Sequence, residues 1–115
     1  MKPEAQVQSA ILEYLAVRKI WGRRMNTGAI KVDKRFIRFG SVGMADILAI
    51  LPSTYVSQRA DGRYTTRLHR VCWIECKAPK GKQSKAQAMF QQEVQAEGHM
   101  YCLCRSIEDV AAILD

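Results

Sequence analysis

The sequence lacks any apolar run long enough to cross a membrane, which would need roughly 20 residues. Its longest clear apolar run, Ile47 to Leu51, ends at Pro52. The opening segment, Met1 to Glu4, also lacks the apolar centre of a secretory signal peptide. We therefore expect neither membrane insertion nor secretion, and the sequence predicts an intracellular, cytoplasmic location.

The four cysteines do not form the C-x-x-C pairs that are typical of structural zinc sites. Cys72 and Cys76 lie four positions apart, and Cys102 and Cys104 lie two apart. All four fall in strand-like runs, where cysteine behaves as a small hydrophobic residue. The pattern predicts free, buried thiols and a reducing compartment.

Acidic residues are in the minority, with 11 Asp and Glu against 18 Lys and Arg and a formal net charge of +7. This excess favours a polyanionic partner, either nucleic acid or an anionic surface, although basic side chains also serve simply as a solvated face. The length of 115 residues allows one compact domain, which we place at 1–115. The hydrophobic fraction of 48% is typical of a packed fold.

The apolar pattern of the first third predicts a helix followed by two strands. Apolar residues with the spacing i, i+4, i+7, i+8 indicate an amphipathic helix from Glu4 to Arg18. Ile20–Asn26 and Arg35–Phe39 have strand-like patterns on either side of a loop at Gly28. We expect these two strands to pair as a hairpin.

Two apolar strands form the predicted core of the sheet. Ala45–Leu51 is apolar on both faces apart from one aspartate, as in a central strand that is covered on both sides. Val71–Lys77 alternates with period two, so Glu75 and Lys77 should point to the same side. The polar stretch between the strands, 53–67, contains an Asp-Gly turn signal and is predicted to be a protruding hairpin insertion.

The last third of the chain predicts a helix, a strand and a second helix. Ser84 precedes a helical pattern that ends at Gly98, Met100–Arg105 is a short strand, and Ser106 caps the final helix. The predicted apolar stripe of the first of these helices comprises Ala86, Met89, Phe90 and Val94. Together the elements indicate a mixed α/β fold with a central sheet flanked by helices.

Three residues near the ends of the apolar strands have the chemistry needed for phosphodiester hydrolysis. Asp46 begins one strand and Glu75 lies near the end of the other. On neighbouring strands about 4.8 Å apart, their carboxylates can share one hard divalent cation. Lys77 would stand beside the attacking water, and the backbone carbonyl of Cys76 could supply a further oxygen ligand. The alternative is structural: Glu75 and Lys77 form a surface pair, and Asp46 is a turn residue.

The order of these residues resembles the virus-type replication-repair nuclease (VRR-NUC) domains of the PD-(D/E)XK nuclease superfamily, over nearly the whole chain. The segments that carry the resemblance are Gly43-Met44-Ala45-Asp46, Ile74-Glu75-Cys76-Lys77 and Ser84-Lys85-Ala86-Gln87, together with Glu4 and Asn26. Ala45 departs from the family pattern, which frequently has proline at that position.

The resemblance implies a restriction-endonuclease-like fold and a deoxyribonuclease that depends on Mg²⁺, for which Mn²⁺ can substitute. Asp46, Glu75 and Lys77 would be catalytic, and Glu4 and Gln87 would support the site, Glu4 as a further metal ligand. Both supporting residues also have a structural interpretation, since Glu4 favours the helix dipole and Gln87 completes a capping box with Ser84. The implied substrate is branched DNA such as a Holliday junction, cut by a homodimer.

Basic residues and one asparagine outside this set are predicted DNA contacts, although each basic residue is equally expected on an ordinary solvated surface. They are Asn26, Lys31, Lys34, Arg35, Arg38, Arg59 and Arg63. Two other functions remain open from the residues alone. One is a non-catalytic nucleic-acid-binding module, and the other is a nuclease that acts on flap or duplex DNA.

Overall fold

The computed structural model describes residues 3–25, 28–33, 35–39, 42–59 and 62–114, and in 28–32, 35–39, 53–59 and 63–67 it describes the backbone alone. The helices are α1 (Pro3–Val17), α2 (Lys85–Ala96) and α3 (Ile107–Leu114). The strands are β1 (Trp21–Arg24), β2 (Gly28–Val32), β3 (Arg35–Phe39), β4 (Ile47–Arg59), β5 (Gly62–Cys76) and β6 (Met100–Cys104). The predicted mixed α/β fold, with a sheet flanked by helices, is confirmed.

Four strands form one mixed sheet in the order β1-β4-β5-β6. β4 pairs antiparallel with both β1 and β5, whereas β5 and β6 are parallel and are connected through α2. A parallel pair needs such a crossover, because the chain must return to the same end of the sheet before the second strand begins. β2 and β3 form a separate antiparallel ladder.

The predicted pairing of Ile20–Asn26 with Arg35–Phe39 is wrong. β1 pairs with β4, with Trp21 opposite Ile50, and the partner of Arg35–Phe39 is Gly28–Val32. The predicted loop at Gly28 is therefore the start of a strand. The local sequence pattern identifies segments that form strands, but it does not show which strands pair. Here β1 pairs with the edge of β4 that β5 does not occupy.

One face of the sheet carries the core. Six residues of β4 and β5 on this face are at most 5% exposed, and α1 and α3 pack against them. The six are Ile47, Ala49, Leu51, Cys72, Ile74 and Cys76. α1 contributes Ile11 and Leu15, which lie i, i+4 on its predicted apolar stripe, and α3 contributes Val110. Full burial of an aliphatic side chain of this size contributes roughly 1.5–3 kcal/mol of transfer free energy.

The opposite face packs against α2 over β5 and β6. The rings of Phe90 and Trp73 are nearly perpendicular with centroids 5.0 Å apart, and the centroids of Phe90 and Tyr101 are 6.5 Å apart. The indole Nε1 of Trp73 donates a hydrogen bond to Nδ1 of His99, at 3.1 Å. Met89, predicted to belong to the apolar stripe, is instead 58% exposed. The buried face of α2 is therefore narrower than the predicted apolar stripe, because α2 contacts the sheet chiefly through Phe90.

The predicted helix ends are confirmed. The Ser84 Oγ accepts a hydrogen bond from the Gln87 amide, and the Gln87 side chain accepts one from the Ser84 amide, which is a complete capping box. Gly98 follows the end of α2 with φ +83°, a conformation that glycine adopts without steric cost. Ser106 caps α3 by accepting a hydrogen bond from the amide of Asp109, at 3.3 Å.

The predicted insertion 53–67 is the outer part of one continuous ladder. The pairing of β4 with β5 runs without interruption from Ile47 opposite Ile74 to Arg59 opposite Gly62. The molecule accordingly measures 65 Å along its longest axis, against 28 and 24 Å across. The hairpin is thus anchored directly in the two central strands. Within the described ranges, the helices are too short and too polar to cross a membrane.

All four cysteines are free, as predicted, and Cys72, Cys76 and Cys104 are buried. Burial raises the pKa of the Cys72 thiol to about 12. The pKa of Cys76 is also raised, first by burial and then by the neighbouring Asp46 carboxylate. Both thiols therefore stay protonated at neutral pH and pack as small apolar side chains.

Candidate metal centre

Three carboxylates from separate parts of the chain converge at one end of the sheet. They belong to Glu4 in the first turn of α1, to Asp46 immediately before β4, and to Glu75 near the end of β5. One carboxylate oxygen from each lies within 4.8 Å of the others. Asp46, Glu75 and Glu4, which the sequence predicted as metal ligands, are thus brought together.

The pairing of β4 with β5 places Asp46 beside Glu75. Ile47 lies opposite Ile74, so the next residue outward on each strand is Asp46 and Glu75, respectively. Asp46 is fixed there from both sides. Its Oδ2 accepts a hydrogen bond from the amide of Cys76 at 2.8 Å, and its carbonyl accepts one from the amide of Met25 at 2.7 Å. Asp46 does follow a turn at Val42 and Gly43, as the structural alternative holds, and its side chain is held against the end of β5 by the bond from Cys76.

Gly43 explains why this approach to β4 needs a glycine three residues before the aspartate. Gly43 has φ +81°, a conformation that L side chains rarely adopt. A Cβ atom added to it would also collide with the carbonyl of Ala86 in the first turn of α2. The backbone at Gly43 therefore packs directly against the start of α2. This contact places Asp46 at the same end of the sheet as Gln87.

Glu75 is the most buried of the three carboxylates, with only 1% exposure. Its Oε1 accepts a hydrogen bond from Nε2 of Gln87 at 2.8 Å, whereas its buried Oε2 has no hydrogen-bond partner among the described residues. Burial and then the Asp46 carboxylate raise the pKa of Glu75 to about 8, and the Lys77 ammonium opposes this rise. A positive charge next to Glu75 would therefore stabilise the ionised form of its side chain.

Lys77 is the second buried charge, at 8% exposure. Its Nζ lies 3.9 Å from Oε1 of Glu4, whose side chain is 47% exposed. The Lys77 amide donates to the carbonyl of Cys104 at 3.0 Å, which continues the β5–β6 pairing one residue past β5. A surface pair of Glu75 and Lys77 at a frayed strand end is excluded by the burial of both residues.

The side chain of Gln87 makes two hydrogen bonds, of which one confirms its predicted capping role and the other joins it to Glu75. Its Oε1 accepts from the Ser84 amide, and its Nε2 donates to Glu75. Because the amide proton of Ser84 needs an acceptor and the Glu75 carboxylate needs a donor, these two bonds fix which way the side-chain amide points. Gln87 therefore couples the start of α2 to the carboxylates.

Gln8 lines the cleft beside the carboxylates and was not predicted from the sequence. It lies one helical turn after Glu4 and shares with Glu4, Ala5 and Asp46 the lining of an open cleft of about 330 Å³. The i, i+4 spacing from Glu4 is the signal that could have identified it. The cleft exposes one side of the carboxylate group to solvent, so a ligand can reach it.

The side chains of the predicted DNA contacts are not among those that the structure describes, so these contacts stay predictions. Asn26 and Lys34 lie outside the described residues. Lys31, Arg35 and Arg38 are in the β2–β3 ladder, and Arg59 and Arg63 are at the outer end of the β4–β5 ladder, where the backbone alone is described. The proposed Cys76 carbonyl ligand also stays a prediction, since the described contact of Cys76 with the site is through its amide.

The arrangement has the chemistry of a hard-cation site. Three carboxylates could supply oxygen ligands, one buried oxygen lacks a partner among the described residues, and a buried ammonium lies at the edge of the cluster. Comparison of the chain with protein-family models, with curated proteins and with solved structures finds no match.

Proposed function

We propose that this chain is a divalent-metal-dependent DNA endonuclease of the VRR-NUC type, with a restriction-endonuclease-like core. The observation that carries the proposal is the convergence of Glu4, Asp46 and Glu75 within 4.8 Å, together with a buried Glu75 oxygen that has no partner among the described residues. The same three residues are the metal ligands that the resemblance to VRR-NUC domains implies. That resemblance rests on sequence alone, so the short distances between the residues are independent support.

The residues present fit a magnesium ion. Asp46, Glu75 and Glu4 would hold it, with the Cys76 carbonyl as a further ligand, and Mn²⁺ would substitute. The raised pKa of Glu75 keeps the side chain protonated at neutral pH when no cation is bound, and a cation beside Oε2, which lacks a partner among the described residues, would stabilise the ionised form. When bound, the ion would shield the negative charge of the phosphate, which repels a nucleophile. It would also lower the pKa of a water molecule, which is otherwise a weak nucleophile.

Lys77 and Gln87 prepare the site for that chemistry. The Lys77 ammonium is buried at the edge of the carboxylate group, where it can orient the attacking water and stabilise negative charge that develops on the phosphate. Gln87 holds Glu75 in place through its 2.8 Å hydrogen bond, and Gln87 is itself fixed by the capping box. The cleft beside Gln8 gives the scissile phosphate its route to the carboxylates.

The net charge of +7 supports DNA as the polyanionic substrate. We rank branched DNA such as a Holliday junction first, with flap or duplex DNA as the alternatives. Symmetric cutting of a junction needs two active sites. The described residues contain one cluster of three carboxylates, so the proposal includes a homodimer. The free, buried thiols support an intracellular setting.

A cleavage assay tests the proposal. Labelled four-way junction, flap and duplex DNA are incubated with the protein in Mg²⁺, in Mn²⁺ and in EDTA. We expect cutting in either metal, none in EDTA, and loss of cutting in Asp46→Asn. The asparagine oxygen can still accept from the Cys76 amide, so the fold is kept. Glu13→Gln, which removes an exposed carboxylate elsewhere on α1, is the matched control.

Two results would refute the nuclease. One is cutting by Asp46→Asn at the wild-type rate. The other is DNA binding without cutting of any substrate in either metal, which would support the non-catalytic binding module instead.

A further inference from the structure

β1 carries an aromatic side chain that the fold leaves in solvent. Trp21 is 44% exposed, and the guanidinium of Arg23 lies 4.7 Å from the centroid of its ring. Arg23 also donates a hydrogen bond to the carbonyl of Gly22 at 2.8 Å, and its guanidinium lies over one face of the indole. The side chains of Arg23 and Arg24 are themselves exposed. An aromatic ring and one cation, that of Arg23, therefore stand together on one face of β1, and Arg24 lies on the other face with Ile47.

The sheet face beside Trp21 is incompletely covered. The pairing of β1 with β4 places Trp21 and Arg23 on the same face as Ile50 and Leu48. These two β4 residues keep partial exposure, whereas their neighbours on the α1 face are at most 5% exposed. α2 packs on this same face through Phe90, but over β5 and β6. The described helices thus leave the β1–β4 half of the face open.

This open surface leads to the carboxylates. Arg24 lies opposite Ile47, and the amide of the following residue, Met25, donates to the carbonyl of Asp46. Trp21 is four residues back along the strand from Met25, or about 13 Å at the usual rise of a β-strand. A short run of nucleotides can therefore reach from Trp21 to the carboxylates.

We infer that the surface formed by Trp21, Arg23, Leu48 and Ile50, here called the Trp21 platform, binds unpaired bases of the DNA strand that enters the metal centre. As a statement about the substrate, the inference rests on the proposed function. It narrows the substrate class to DNA with a single-stranded segment next to the cut.

The chemistry of the platform favours bases over a protein partner. An indole offers a flat ring on which any base can stack, and an adjacent arginine adds a cation for the phosphate. Paired bases inside a duplex are stacked on one another and do not offer their faces to an indole. Stacking on Trp21 would therefore select strands that are already unpaired, such as a flap, or the melted centre of a junction.

Binding to a 12-nucleotide thymidine strand in EDTA tests the inference without involving cleavage. We expect the strand to quench tryptophan emission in the wild type, and the quenched component to be absent in Trp21→Phe. Trp21→Ala should bind the strand about tenfold more weakly or worse, with partial recovery in Trp21→Phe, because each stacked base contributes appreciably. Val17→Ala, at an α1 residue that is 75% exposed, is the control for loss of an exposed apolar side chain.

Two further strands separate base stacking from charge. An abasic strand of the same length should bind more weakly and leave the emission unchanged, and a duplex should quench less than the single strand. Equal quenching by duplex and single strand would overturn the inference, as would equal affinity of Trp21→Ala and wild type. Because the measurements are made in EDTA, a protein that binds through Trp21 but cuts nothing would refute the nuclease and leave the platform standing.

Discussion

Replacement of Glu75 by glutamine should stabilise the metal-free protein while removing its activity. Glu75 is 1% exposed, lies against the Asp46 carboxylate, and has one buried oxygen without a partner among the described residues. Glutamine has nearly the same shape and no charge. Its oxygen can still accept from Gln87, and its amide group can donate to Asp46, so the substitution removes the electrostatic cost and keeps the packing.

The pH dependence follows from the raised pKa of Glu75, which is about 8 in the fold against 4.5 for the ordinary side chain. Between these values the folded protein keeps the proton and the unfolded chain releases it, so folding stability falls as the pH rises. At about 1.4 kcal/mol per pH unit, the loss reaches about 3 kcal/mol at pH 7. The glutamine variant does not titrate and escapes this loss.

Thermal or urea unfolding of both proteins in EDTA from pH 4 to pH 8 measures the difference. The two proteins should be nearly equally stable at pH 4, and the variant should be more stable by about 3 kcal/mol at pH 7, or by about 10 °C in Tm for a chain of this size. Adding Mg²⁺ should raise the Tm of the wild type much more than that of the variant, because binding to the folded state stabilises it.

Glu13→Gln is again the control, since an exposed carboxylate should change stability by less than about 0.5 kcal/mol. Wild-type and Glu75→Gln proteins that unfold together at pH 7 in EDTA would refute the reasoning. Such a result would mean that the Glu75 carboxylate is solvated or already neutralised within the folded chain.

Two other predictions concern turnover and assembly. Lys77→Met should retain cation binding and lose about 100-fold or more in cleavage rate, because we propose that the ammonium acts on water and phosphate rather than on the ion. Calorimetric titration with Mn²⁺ beside the cleavage assay separates these effects, and loss of binding would contradict the assignment. The second prediction is that the 13.0 kDa chain is a homodimer in solution or on a junction. Light scattering that finds only monomer with and without DNA would reject it.

Much of the site could be predicted from the sequence because its residues lie at fixed points of regular elements. Period-two alternation put Glu75 and Lys77 on one side of β5, and the two apolar strands implied that Asp46 could stand next to Glu75. The Ser84–Gln87 spacing gave the capping box. Each of these inferences needs only local geometry, together with one assumption about neighbouring strands.

The features that could not be predicted depend on tertiary contacts. The pairing of β1 with β4 was missed, because several strands could satisfy the same edge. The exposure of Met89 depends on how far α2 extends over the sheet, and the position of Gln8 in the cleft depends on where α1 begins relative to β4. The unpartnered Oε2 of Glu75 is likewise a consequence of packing that no spacing in the sequence announces.

A count of the Mn²⁺ ions bound by the three carboxylates tests most directly whether Glu4, Asp46 and Glu75 form a metal centre. Electron paramagnetic resonance can count bound Mn²⁺ in the presence of an uncleavable phosphorothioate junction, for the wild type, Asp46→Asn, Glu75→Gln and Glu13→Gln. We predict saturable binding by the wild type and by Glu13→Gln, and binding weakened at least about tenfold in the other two variants, since each loses one anionic ligand. Unchanged binding in Asp46→Asn and Glu75→Gln, or no binding by the wild type at pH 8, would contradict a metal centre at these residues.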